Sequence, residues 1–248
     1  MLVAELRFHD MLNDLLPRGL RGTAFPVRFR LGDTVKNLIE ACGVPHTEVG
    51  VVTADAVAVP PAYHVRDGDR VSVCPVSLAA EGDVESSWNR IEPGAARFIL
   101  DVHLGALARA LRTLGLDTAW EPPFDDGELA ARAAVEGRVL LTRDRALLMR
   151  KLVTHGCLVR SLHPQAQVEE VLRRFRLQEK LRPFTRCLSC NAPLEELPAA
   201  EARPLVPELV AQLYDGFRRC PSCRKVYWKG THWQDMARRL VDPLTRVT

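Results

Sequence analysis

The chain lacks any run of about 18 uninterrupted apolar residues, so no helical membrane span is expected. Its first ten residues set Glu5, Arg7 and Asp10 among the apolar positions, so the basic-then-apolar pattern of a secretory leader is missing as well. There is no internal repeat and no long low-complexity tract, which argues against a solenoid or a repeat array. Net charge is small, +3, with a pI near 8.5, which permits a polyanionic partner without demanding one. These absences point to a cytoplasmic chain with no membrane partner. In that compartment the seven cysteines make poor disulfides; metal ligands and buried spares suit them better.

With 248 residues, 47% apolar and 26% charged, the chain can bury a sizeable core, and global disorder is excluded. Three rhythms follow one another. Residues 1–78 alternate at Leu2, Ala4, Leu6 and Phe8 and again from Phe25 to Leu31, the pattern of paired strands. Thr34 is placed to cap a helix through Val35, Leu38, Ile39 and Cys42 that Gly43 ends, and short strands follow at 49–52 and 71–75. Residues 79–95 are polar and read as a linker, with Trp88 partly buried.

Residues 1–78 resemble the β-grasp, or ubiquitin-like, family of small sulfur-carrier proteins. The likeness rests on Gly32-Asp-Thr-Val-Lys-Asn-Leu-Ile-Glu and Asp67-Gly-Asp-Arg-Val-Ser-Val. Those carriers are activated at a free Gly-Gly carboxylate. Here the last strand runs into Cys74-Pro-Val-Ser and the chain continues, so carriage without cleavage is chemically excluded. Docking of a protein partner, or scaffolding, remains.

Residues 96–181 alternate buried strands with helices, as in a parallel α/β sheet. Strands are expected at Arg97–Val102, Thr118–Trp120, Arg138–Thr142 and Gly156–Leu162. Helices are expected at Leu104–Leu114, Gly127–Glu136, from Asp144 through Leu152, and Pro164–Leu181. Asp101 and Asp144 each follow a strand, and Asp125-Asp-Gly-Glu128 opens a helix. In a parallel sheet these acids gather at the carboxyl edge, where open α/β folds bind ligands. Taken singly, Asp144 and Asp126 serve as well as helix caps. Taken together, converging carboxylates call for a hard cation such as Mg²⁺ or Mn²⁺, which turns water into a nucleophile and neutralises a phosphodiester oxygen.

From residue 182 to 248 the chain is organised by Cys187-Leu-Ser-Cys190 and Cys220-Pro-Ser-Cys223. Two residues between cysteines let both thiolates face one ion, and two such knuckles make the closed tetrahedral set of a structural zinc. Four thiolates leave no open position for catalysis. Cys42, Cys74 and Cys157 sit among apolar neighbours and read as core residues.

Arg97-Phe-Ile-Leu-Asp-Val-His-Leu-Gly, Asp125-Asp-Gly-Glu-Leu, Val139-Leu-Leu-Thr-Arg-Asp-Arg-Ala-Leu, the two knuckles and Tyr227-Trp-Lys-Gly-Thr-His-Trp occur in this order. Together they resemble the Mut-seven C-terminal RNase family, a PIN-like nuclease domain fused to a zinc ribbon, here preceded by a β-grasp domain. The resemblance implies an enzyme that hydrolyses RNA with metal-binding acids at Asp101, Asp126 and Asp144, and Glu128 as a further candidate. Which of Asp125, Asp126 and Glu128 faces the metal stays open. His103, two residues after Asp101, departs from the family's usual first motif and reads as a surface histidine.

Arg143 beside Asp144 is expected to contact RNA, and Thr142 either orients a metal water or simply ends its strand. Arg145, Arg224, Lys225 and Lys229 are candidate phosphate contacts, and Tyr227, Trp228 and Trp233 lie among them. Those rings either pack the module or offer a base platform; the expectation favours packing. The competing class is a non-catalytic RNA-binding adaptor whose β-grasp domain docks a protein and whose acids are only caps and ion pairs.

Overall fold

In the computed structural model the described residues are 1–76, 87–89, 91, 96–121 and 125–241. They form two compact units, Met1–Glu92 with Asp125–Leu158, and Pro93–Phe124 with Val159–Thr248. The expected linker lies mostly outside the described residues.

In the first unit, strand β1 (Leu2–Phe8) buries Ala4, Leu6 and Phe8 on one face, as its alternation requires. It pairs antiparallel with β2 (Ala24–Phe29) and parallel with β5 (Arg70–Pro75). β5 in turn pairs antiparallel with β3 (Val49–Ala54), and β4 (Val57–Ala58) closes the edge. The order β2-β1-β5-β3-β4 has the parallel pair near its centre, which demands a crossover between β1 and β5. The helix Val35–Ala41 lies on that path, capped by Thr34 Oγ1 accepting from the Asn37 N–H at 3.3 Å, and buries Val35, Leu38 and Ile39. This is the expected β-grasp sheet. Trp88 is half-buried and donates through Nε1 to the Val59 carbonyl at 2.9 Å.

The same unit holds strands β8 (Val139–Thr142) and β9 (Gly156–Leu158), fully buried and paired in parallel. The helix Asp126–Glu136 precedes β8 and stops at Gly137, at φ +60°. Hydrogen bonds among the described residues join this part of the chain to the β-grasp segment. Glu48, 1% exposed, accepts from the Leu158 N–H at 2.8 Å. His46 bridges Glu40 at 2.6 Å and the Val153 carbonyl at 2.8 Å. Arg145 donates to the Leu15 carbonyl at 2.9 Å.

The helix after Asp144 spans only Arg145–Leu148 rather than reaching Leu152. Val153 folds into the core and Leu152 is left 54% exposed, because the chain must turn back within seven residues to start β9.

In the second unit β6 (Phe98–Leu100) pairs in parallel with β7 (Thr118–Ala119), and the helix Gly105–Thr113 connects them. The helix Pro164–Phe175 packs Phe175 edge-on to Phe98, with ring centroids 5.3 Å apart. It ends six residues before the expected Leu181, because Arg176 adopts the left-handed conformation at φ +50°. The strand foreseen to Leu162 stops at Leu158. Beyond it the N–H groups of Arg160 and Ser161 turn to the Glu170 carboxylate, both at 3.0 Å, instead of to a neighbouring strand.

Beyond residue 182, β10 (Glu195–Leu197), β11 (Phe217–Arg219) and β12 (Val226–Trp228) form an antiparallel three-stranded sheet. Leu197, Ala202 and Phe217 make its small core, and the helices Ala199–Ala202 and Glu208–Leu213 occupy the insertion between the two cysteine pairs. Among the described residues no helix is long and apolar enough to cross a membrane.

Candidate metal centre and acidic sites

The two knuckles bring the four sulfurs together. The Sγ atoms of Cys187 and Cys223 are 3.5 Å apart, those of Cys190 and Cys220 3.3 Å, and all four lie within 4.8 Å of one another. A zinc tetrahedron with ~2.3 Å bonds has edges of about 3.8 Å, so the set fits zinc with small adjustments. In each knuckle the second cysteine's N–H points at the first sulfur, Cys190 to Cys187 at 3.5 Å and Cys223 to Cys220 at 3.4 Å. Burial pushes the Cys187 thiol up, but hydrogen bonds with Tyr227, Cys190, Ser189 and Cys223 outweigh it and hold the group near about 6. Burial raises Cys223 to about 12. Thiols this close cannot all ionise without a cation among them. The four cysteines can hold a zinc ion.

Charge around the cluster is supplied by Arg112, which the sequence reading passed over. Its side chain is buried, and its guanidinium donates to the carbonyls of Thr118 (2.9 Å), Trp120 (3.2 Å), Leu188 (3.1 Å) and Ser189 (2.8 Å). Burial pulls its pKa down, and Cys187 and Cys190 pull it back up. Lys225 Nζ donates to Ser189 Oγ at 2.6 Å, so one expected phosphate contact also supports the first knuckle. The signal that could have found Arg112 is its helical spacing, four residues after Ala108 on the apolar side of the helix.

Of the three spare cysteines expected in the core only Cys157 is fully buried; Cys42 and Cys74 are half-buried. Burial raises Cys74 and lifts Cys42 to about 11, which makes them poor nucleophiles.

The acids resolve differently from one another. Asp125 caps the helix Asp126–Glu136, its Oδ1 accepting from Gly127 at 2.6 Å and Glu128 at 2.9 Å. Glu128 answers by accepting from the Asp125 N–H at 3.2 Å, which completes a capping box. The capping role considered for Asp126 therefore belongs to Asp125, and Glu128 is tied into the same box. Asp126 is 54% exposed and meets only Arg150 among the described residues, at 3.5 Å. Arg150 lies six residues beyond Asp144, so this contact links the start of the helix Asp126–Glu136 to the segment that follows Asp144.

Asp144 follows β8. Its N–H donates to Thr142 Oγ1 at 3.0 Å, and its Oδ1 accepts from Ala146 at 2.7 Å. Thr142, buried at the strand's end, thus fixes the turn that presents Asp144. Arg143 is exposed beside it, and one nitrogen of Arg145 is engaged by Leu15.

In the second unit Asp101 follows β6, half-buried, and its carbonyl accepts from Leu104 at 3.0 Å; His103 is exposed. Among the described residues the four cysteines alone form a group of three or more ligand side chains that close together.

The description that matches residues 96–240 is the Mut7-C RNAse domain. The chain belongs to the Mut7-C RNAse domain family. A second model, Mut7-C ubiquitin, matches residues 1–81, the β-grasp segment. Asp101, Asp126, Asp144 and the four cysteines all fall within the Mut7-C RNAse span. No curated protein matches the chain. Among solved structures, small archaeal modifier protein 1 of H. volcanii is similar at 17% identity, covering 30% of this chain and 98% of its own, with a TM-score of 0.25. Residues 96–240 are therefore a nuclease-type domain of the Mut7-C kind, joined to a ubiquitin-like one.

Proposed function

We propose that this Mut7-C protein is a metal-dependent ribonuclease whose acids are Asp101, Asp126 and Asp144, stabilised by a structural zinc at Cys187, Cys190, Cys220 and Cys223. The observation that carries the reading is the RNase family match across residues 96–240, a span holding both the acids and the cysteines. The capping box engages Asp125 and Glu128 and leaves Asp126 exposed, which favours Asp126 among those three; Asp144 itself caps the helix Arg145–Leu148 through Oδ1.

Bound at the acids, Mg²⁺ or Mn²⁺ would offset phosphate charge and lower the pKa of a coordinated water. The chain's own residues set the rest. Thr142 holds the Asp144 turn. Arg143 meets the RNA backbone beside it, and Arg145, Arg224, Lys225 and Lys229 are further phosphate contacts. Zinc stays outside the chemistry and orders the C-terminal module. A cytoplasmic setting agrees with this use of cysteine.

The test is cleavage of labelled single-stranded and structured RNA with Mn²⁺ by the full chain, Asp101→Asn and Asp144→Asn. Cleavage by the wild type that both variants lose is expected. Cleavage unchanged in both would sink the site. RNA binding that weakens steeply with salt, with no cleavage in any divalent metal, would favour the adaptor reading, in which the β-grasp domain docks a protein partner.

A further inference from the structure

Beside the cysteine cluster the C-terminal module carries a groove of about 990 Å³, at the large end of what ligand pockets reach. Its apolar wall is aromatic. Phe184 and Trp233 face each other with ring centroids 4.5 Å apart and planes tilted by 34°. Lys229 Nζ stands 5.5 Å over the Trp233 ring, and Trp228 lines the same groove. All three rings are only half-buried: Trp228 packs on the small core and Phe184 against Trp233, and each still lines the groove.

The backbone at Phe184 adds a separate sign. It sits at φ +60°, where a bulky side chain is strained, and such strain is kept where the surroundings enforce it. Two hydrogen bonds do so: its N–H donates to Thr113 at 2.8 Å, and its carbonyl accepts from Arg218 at 2.9 Å. Their effect is to hold the ring against Trp233. Tyr227 is different, since its hydroxyl is bonded to the Cys187 sulfur at 3.1 Å and serves the cluster.

Charge selects the occupant. Arg186, Arg218 and Lys229 line the groove against Glu196 and Asp215. Over residues 182–241 ten Lys and Arg stand against six Asp and Glu, an excess larger than the net +3 of the whole chain. A tetrathiolate zinc centre would offset two of those charges and leave the surface positive. Half-exposed rings with cations beside them suit bases that stack and phosphates that follow. A base inside a duplex has no free face to offer.

We propose that this groove binds unpaired bases of single-stranded RNA, with stacking on Trp233 and Phe184 and phosphates near Lys229 and Arg218, and so sets single-stranded RNA as the substrate. The proposal rests on the ribonuclease reading for its meaning, but its binding test is independent of cleavage.

The experiment uses the zinc-loaded full chain without added Mg²⁺ or Mn²⁺ and a labelled, 2′-O-methylated oligonucleotide of about eight nucleotides. Binding is followed by anisotropy, beside a duplex of the same sequence. The single strand is expected to bind at least about tenfold more tightly than the duplex, and Trp233→Ala to weaken it by about tenfold. Trp233→Phe should keep most of the affinity, which separates stacking from mere packing. Zinc content and melting temperature confirm that each variant is folded. Equal binding of single strand and duplex, or undiminished binding by folded Trp233→Ala, overturns the proposal; the latter result would leave the groove to a protein segment. If Trp233 matters for binding but the wild type cleaves nothing in Mn²⁺, the ribonuclease reading falls and the groove stands. If cleavage proceeds and Trp233 is immaterial, the reverse holds.

Discussion

The guanidinium of Arg112 donates to the carbonyl oxygen of Ser189 at 2.8 Å, 77 residues further along the chain. Ser189 lies between the first pair of cysteines, so a helix of the α/β segment is tied directly to a metal knuckle. The cation is buried among carbonyls, and negative charge on Cys187, Cys190 and Glu121 favours its charged form.

Replacing Arg112 by Met should therefore cost more than its volume suggests. Four carbonyls lose a charged donor, a loss of about 3 kcal/mol. Urea unfolding would read it, and zinc should leave at a lower chelator concentration than in the wild type. Unchanged stability and unchanged zinc retention would show that Arg112 does not support the knuckle.

Zinc itself should be bound one per chain and be lost in Cys220→Ser. A strong chelator should lower the melting temperature before it touches cleavage, since the cysteines hold no reacting group. Purified chain free of zinc, whose melting temperature ignores the chelator, would refute the site.

The neighbouring acids should separate cleanly. Asp125→Ala removes the helix cap and should cost about 1 kcal/mol while cleavage stays within a few fold. Asp126→Asn should leave stability nearly unchanged and lower cleavage by ~100-fold or more. The opposite assignment of losses would move the metal ligand from Asp126 to Asp125.

Gly115 has φ +85°, and a Cβ there would stand 2.0 Å from the Arg182 carbonyl oxygen. Backbone cannot swing aside as a flexible side chain can. Gly115→Ala should lose about 3 kcal/mol or more, read by thermal or urea unfolding, and a wild-type melting temperature would contradict this packing.

Stability should also respond to mild acid through His155. Burial pulls this imidazole below its ordinary 6.5, and its Nδ1 has no partner among the described residues. The unfolded chain therefore takes up the proton first. Stability is full above pH 6.5 and falls as the pH drops below it, until the folded form also protonates. From about pH 7.5 to about 5.5, His155→Phe should lose less melting temperature than the wild type. Parallel losses in both would remove His155 from the account.

What the chain order reveals is local chemistry. Paired cysteines two residues apart announce the cluster, alternation in Leu2–Phe8 announces a half-buried strand, and Thr34 with Gly43 brackets its helix. The acids, too, stand where strand ends and helix starts are written. What it hides are contacts between distant groups. Arg112 looks like any helix arginine until Ser189 and Leu188 arrive. The choice between Asp125 and Asp126 is one of rotamer and cap, which adjacent identical side chains cannot signal. The end of the helix Pro164–Phe175 rests on Arg176 entering the left-handed region, a conformation that its side chain does not advertise.

The bond from the Leu158 N–H to Glu48 spans 110 residues. During synthesis the acceptor leaves the ribosome long before its donor exists; at 5–20 residues per second the interval is roughly 5 to 20 seconds. The ubiquitin-like segment is thus made early, and its carboxylate reaches its final burial only when β9 has been translated. The order of manufacture supplies the acceptor before the donor, so a chain begun after residue 48 would present β9 without the Glu48 carboxylate for that amide.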